Sequence, residues 1–149
     1  MLPHAIFRYI YIFFSIYAAL TDAKTGSLPR LWLWAAIAVS CLGQLIFGGT
    51  IAALIALLGC ALGLLIFSLA FFLSGRRLGL ADVWYAGLAG SVLGPLWWYP
   101  AILAACLAAL LFAALRRRRS VRFIPFMAAG SIAALLAGWR SLPGGMSGW

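Results

Sequence analysis

From Leu31 to Leu73, and again from Val83 to Leu115, the chain carries no charged side chain. No other feature restricts the fold as much. A water-soluble domain of 149 residues that is 66% hydrophobic and 9% charged could not hide so much apolar surface in a core of its own. With a mean hydropathy of +1.11, the expected solvent is lipid. One helical crossing of a bilayer takes about 20 apolar residues, so a chain this long has room for about six crossings and little else.

Hydrophobicity breaks at 22–30, 48–50, 74–79, 94–95 and 116–122. The expected fold class is therefore all-α: a polytopic membrane bundle of six transmembrane helices over roughly 5–21, 31–47, 51–73, 80–93, 96–115 and 123–139. Residues 1–149 are read as a single transmembrane domain. Trp32, Trp34, Trp97, Trp98, Tyr99 and Trp139 fall near these limits, where an amphipathic ring is favoured between headgroup and hydrocarbon. The first run contains Arg8 and ends without a small-x-small cleavage signature, so it is read as a retained helix rather than a signal peptide. Cys41, Cys60 and Cys106 stand singly in apolar runs, which fits small core residues and neither a metal site nor a disulfide framework.

Basic residues near helix ends are retained on the cytoplasmic side. Lys24 and Arg30, Arg76 and Arg77, and Arg116 to Arg119 with Arg122 all fall in the breaks after the first, third and fifth helices. Only Arg8 and Arg140 fall on the other side, so both termini are expected outside. The formal net charge of +9 is then a topology signal that also attracts anionic membrane lipids, and it requires no nucleic-acid partner.

Against these eleven cations stand two acids, Asp22 and Asp82. An ionisable group in or beside a membrane helix is costly to dehydrate, so each is a candidate for function. The topology places both at the cytoplasmic face. Asp82, at the start of the fourth helix, can cap free N–H groups and favour the positive helix end. Asp22, at the end of the first, gains nothing from the dipole, although a salt bridge to Lys24, Arg76 or Arg77 would hold it. Two neighbouring carboxylates that share a proton can act as base and acid on a peptide bond, as in aspartyl proteases. The same pair can relay protons or bind a cation, as in a transporter.

The surroundings of the two acids resemble the type IV prepilin peptidase family of membrane aspartyl proteases, often called GxGD proteases. Thr21-Asp22-Ala23-Lys24-Thr25-Gly26-Ser27-Leu28-Pro29-Arg30 is similar to the family's Asp, polar turn and Ile-Pro-Asn. Gly79-Leu80-Ala81-Asp82-Val83-Trp84 resembles GxGD-x-Lys, and Arg122-Phe123-Ile124-Pro125-Phe126 with Gly130 resembles Ile-Pro-Phe-Gly-Pro. The departures are Ala81 for the second glycine, Trp84 for the lysine and Arg30 for the asparagine. No counterpart of the cysteine-rich, N-methylating region is present, so the likeness is to the compact form.

The resemblance implies a peptidase domain over 1–149 that cleaves the basic leader of a type IV pilin or pseudopilin precursor. Cleavage would occur at the cytoplasmic side of a bacterial or archaeal inner membrane. It implies catalytic Asp22 and Asp82, a site shaped by Gly79, Ala81, Lys24, Pro29 and Pro125, and no metal or organic cofactor. The expected partners are that membrane precursor and lipid. Two other readings stay open on the residues: a small proton-coupled transporter using both acids, or a family member that has lost catalysis and serves as a membrane assembly partner.

Gly43, Gly59, Gly63, Gly87 and Gly90 are read as close helix packing in lipid. Pro29 and Pro125 suit the first turn of a helix regardless of chemistry. His4 stands alone near the outer side, where no triad is expected.

Overall fold

A chain immersed in hydrocarbon must satisfy its backbone polar groups internally, and helices do this segment by segment. The computed structural model describes residues 2–25, 28–75, 78–116 and 123–141. All regular structure among them is helical: α1 (Leu2–Thr25), α2 (Arg30–Leu73), α3 (Leu80–Arg116) and α4 (Ile124–Ser141). Within these, 30–73 and 80–112 are long and apolar enough to cross a membrane.

At 1.5 Å per residue a straight helix of 44 residues, the length of α2, would run about 66 Å, roughly twice a bilayer's hydrocarbon thickness. It is not straight. Gly49 interrupts it at φ 77°, ψ −173°, and Gly94 interrupts α3 at φ 67°, ψ 170°. A side chain is all but barred from that region of backbone space, so glycine is what permits each break. Pro95 then opens the following arm at a position where its fixed φ and missing N–H cost least.

Contacts across the breaks show that the chain doubles back. Trp34 stacks on Trp84 with centroids 4.5 Å apart, and the Ser40 and Ser91 hydroxyls bond at 3.0 Å, so the first arm of α2 runs alongside the first arm of α3 in the same direction. The second arm of α2 runs opposite to that same arm: Gly59 meets Gly90, and Gly63 meets Ala86. The two arms of α2 are therefore antiparallel, as in a hairpin. In α3, buried Trp98 turns back to donate its indole N–H to the Ala86 carbonyl at 3.0 Å and sets its ring 6.4 Å from Phe67. Four helices thus supply six helical segments, broken where the glycines at 48–50 and 94–95 predict, although only Gly49 and Gly94 leave helical geometry.

The most extensive contact is between α2 and α3, and glycine creates it. A Cβ on Gly59 would overlap the carbonyl of Gly90, and one on Gly90 would overlap that of Gly59. Removing both side chains lets the backbones touch, which is how apolar helices associate where lipid is as greasy as leucine. Gly130 does the same for α4, where a Cβ would lie 2.6 Å from the Ala101 carbonyl oxygen. α4 runs antiparallel to the second arm of α3, with Phe126 5.5 Å from Phe112, and α1 packs chiefly on α4.

Large apolar side chains such as Phe13, Leu31, Ile46, Leu65, Leu96 and Leu107 face outward, the inverse of a soluble core. Trp32, Trp34, Trp97 and Tyr99 are exposed, as interfacial rings should be. Trp98 departs from that expectation. It is 2% exposed because its N–H has a partner inside the α3 hairpin. The Trp139 side chain lies outside the described residues. Cys60 is buried, Cys41 and Cys106 are half-buried, and all three are free thiols.

Candidate active site

Asp22 lies one turn inside the end of α1, because the helix runs past the predicted limit of 21 to Thr25. Thr25 prolongs it by donating its hydroxyl to the Thr21 carbonyl at 2.8 Å, and Lys24 sits in the last turn, where a cation complements the helix dipole. A carboxylate gains nothing from that dipole, yet Asp22 is only 6% exposed.

Asp82 is the third residue of α3 and is 9% exposed. Its Oδ2 accepts the backbone N–H of Gly79 at 3.1 Å, while its own N–H donates to the Gly79 carbonyl at 3.1 Å. This is the acidic half of a capping box, which uses one carboxylate oxygen to satisfy an orphan donor at the helix start. Glycine suits the position because a Cβ there would press on Oδ2 at 3.1 Å.

The charge of Asp22 bears on Asp82 from a helix that shares little backbone contact with α3. Both are buried, and the chain holds no other acidic side chain. Such an arrangement can hold one proton between two carboxylates and present oxygen lone pairs to a water molecule.

The other predicted residues frame this end of the bundle. Ala81 is half-buried beside Asp82, and Lys24 is exposed on the turn after Asp22. Pro29 caps α2 in extended geometry, its carbonyl accepting the Trp32 N–H at 3.1 Å. Pro125 is half-buried in the first turn of α4. That turn reaches the same end, because Phe123 lies 5.9 Å from Phe67, one turn beyond Gly63 towards Asp82. Trp84, in the place of the family's lysine, is held by its stacking on Trp34. Arg76, Arg77 and 117–122, which carry most of the loop charge, lie outside the described residues.

Sequence reasoning passed over a second polar group. Tyr11, Ser15, Tyr85 and Ser131 gather where α1, α3 and α4 meet, each almost fully buried. The detectable signal was the spacing of Tyr11 and Ser15, which puts both on one face of α1.

Fold and site together define a helical membrane protein that buries two carboxylates, one from each of two separate helices. Over residues 9–114 the chain matches the model of the type IV leader peptidase family, and it belongs to that family. The match spans both aspartates and ends before α4. Comparison with curated proteins returned no match, and neither did comparison with solved structures.

Proposed function

We propose that this protein is a membrane aspartyl endopeptidase that removes the basic leader from prepilin-like precursors, type IV pilins or pseudopilins, at the cytoplasmic border of the membrane. Asp22 and Asp82 are its catalytic pair in this reading. The observation that carries it is burial: the only two acids in the chain are both buried, at the ends of two different helices, with the charge of one bearing on the other. Membership of the type IV leader peptidase family supports the choice of substrate.

In the mechanism that follows, one carboxylate takes a proton from water, which attacks the scissile carbonyl. The other, protonated, donates a hydrogen bond to that carbonyl and then a proton towards the leaving amine. Asp82 enters already oriented, because its Oδ2 is held by the Gly79 N–H. Ala81, Lys24, Pro29 and Pro125 shape the approach of the substrate chain. The precursor's apolar helix lies against the bundle in lipid and brings its leader junction to the depth of the aspartates. Its basic leader stays on the same side as the loop cations, so loop charge orients the enzyme and does not attract the leader.

The architecture in this reading is six crossings with both termini outside the cell's inner membrane. The two glycine-centred reversals and the one-sided loop charge support it. The test is co-expression with a prepilin-like precursor in cells lacking other prepilin peptidases. Cleavage by wild type and its loss in Asp22→Asn and Asp82→Asn are expected. An uncut precursor with wild type, or unchanged cutting by both variants, refutes the assignment, and the first outcome would favour a non-catalytic assembly role.

A further inference from the structure

We infer that Tyr85 is a positioning residue: with Tyr11, Ser15 and Ser131 it fixes the rotation of α1 about its own axis and so keeps Asp22 turned into the bundle. The consequence for rate rests on the catalytic pair proposed above, whereas the tie between helices does not.

Along α1 the buried residues Tyr11, Ser15, Ala18 and Asp22 recur every three or four positions, so they form one stripe on one face of the helix. The acid and two hydroxyls share that face. Phe13, Ile16 and Leu20 lie on the opposite side and are exposed. In lipid, such apolar surface gives a helix no reason to prefer one rotation, because hydrocarbon accepts it as readily as protein does. Polar groups must set it.

Tyr11 and Ser15 turned outward would face hydrocarbon with nothing to bond, which is costly. Turned inward, both lie within hydrogen-bond reach of the Tyr85 hydroxyl on α3, and Tyr11 and Tyr85 both reach Ser131 on α4. All four are buried. α1 packs chiefly on α4 and shares little backbone contact with α3, so side chains must carry its connection to the helix that bears Asp82. Tyr85 is one turn along α3 from Asp82, and Ser15 is two turns, about 10 Å, along α1 from Asp22. A rotation released at the hydroxyls would pass along the helix to the acid.

The test pairs nitroxide labels at Leu20 and Leu73, exposed positions on α1 and on the end of α2, in full-length chains whose three cysteines are replaced by alanine. Tyr85→Phe keeps the ring and removes only the hydroxyl. Its distance distribution between labels is expected to broaden relative to the parent, and Ser15→Ala, which serves if Tyr85→Phe does not fold, should do the same. Ser40→Ala breaks a bond between α2 and α3 without touching α1, so its distribution should match the parent's. Unchanged distributions in Tyr85→Phe and Ser15→Ala, or equal broadening in Ser40→Ala, overturn the inference. In the unlabelled chain, well below its melting temperature, Tyr85→Phe should lower kcat for precursor cleavage about tenfold or more and leave KM within about twofold, because alignment and not binding is lost. A lower melting temperature with kcat intact would make Tyr85 a structural part only and refute its positioning role. A wild-type chain that cuts no precursor would remove the proposed activity, and the distance measurement then decides the tie by itself.

Discussion

Gly79 and Asp82 exchange hydrogen bonds: the Gly79 N–H donates to Asp82 Oδ2, and the Asp82 N–H donates to the Gly79 carbonyl, both at 3.1 Å. Asp82 is thus a helix cap whatever else it does, and an effect of its removal on activity is ambiguous unless the cap is kept. Asparagine keeps it, since its amide oxygen can still accept the Gly79 N–H, but it cannot exchange a proton.

Asp82→Asn is therefore expected to melt within a degree or two of wild type and to lose cleavage by about 10²-fold or more, the usual contribution of a general acid or base. Asp82→Ala should lose activity equally and, in addition, stability on the order of 1 kcal/mol. Thermal unfolding in detergent alongside precursor cleavage separates the two. Equal melting temperatures for Asn and Ala would show that the cap contributes nothing.

The close approach of Gly59 and Gly90 leads to a different expectation, one of size. A Cβ on either would overlap the other's carbonyl oxygen, so backbones must separate to admit it. Gly90→Ala is expected to cost about 1–3 kcal/mol, the usual range for overpacking, and Gly90→Val more. Unchanged melting of the Ala variant would mean that the two helices can part freely.

How far such contacts were legible in the sequence depended on whether the signal was local. The breaks at 48–50 and 94–95 were visible because glycine interrupts an apolar run, and the structure bends there at Gly49 and Gly94. What local pattern could not show is that a single residue suffices for each reversal, since only its backbone angles reveal that. Loop charge gave the aspartates an expected common end, whereas how near they lie depends on how helices distant in sequence pack. Trp98 was misread as an interfacial ring because position in the chain does not tell which way an indole turns. The hydroxyl cluster escaped because each member stands alone in its own apolar run, and only tertiary packing makes a group of four.

At Gly49 the expectation is the reverse of that at Gly90. No atom lies within 4 Å of the place a Cβ would take, so the obstacle is the backbone angle of φ 77° and not crowding. Gly49→Ala and Gly49→Ser should each cost about 1–3 kcal/mol, and by nearly the same amount, because neither side chain meets a neighbour. A loss that grew with side-chain size would show that the reversal is packed more tightly than its surroundings indicate.

The one-sided distribution of basic residues predicts the membrane orientation. Lys24, Arg30, Arg76, Arg77 and the 116–122 cluster all follow odd-numbered helical segments, and the loops at Gly49 and Gly94 carry no charge. A reporter fused after Trp149 should be active only if it works outside the cytoplasm. A cytoplasmic signal from that fusion would invert the orientation and remove the aspartates from the side where a basic leader is retained.

Trp98 offers a way to weigh the reversal in α3. Its indole N–H reaches back across Gly94 to the Ala86 carbonyl at 3.0 Å, and its ring lies edge-on to Phe67 at 6.4 Å. Trp98→Phe keeps most of the ring and gives up the bond, so a loss of about 0.5–1.5 kcal/mol is expected. Trp98→Ala gives up both and should lose about 3–5 kcal/mol, as for a large aromatic removed from a packed interior. Melting temperatures in detergent distinguish the contributions. If the Phe variant lost as much as the Ala variant, the hydrogen bond and not the ring would be what holds the second arm of α3 against the first.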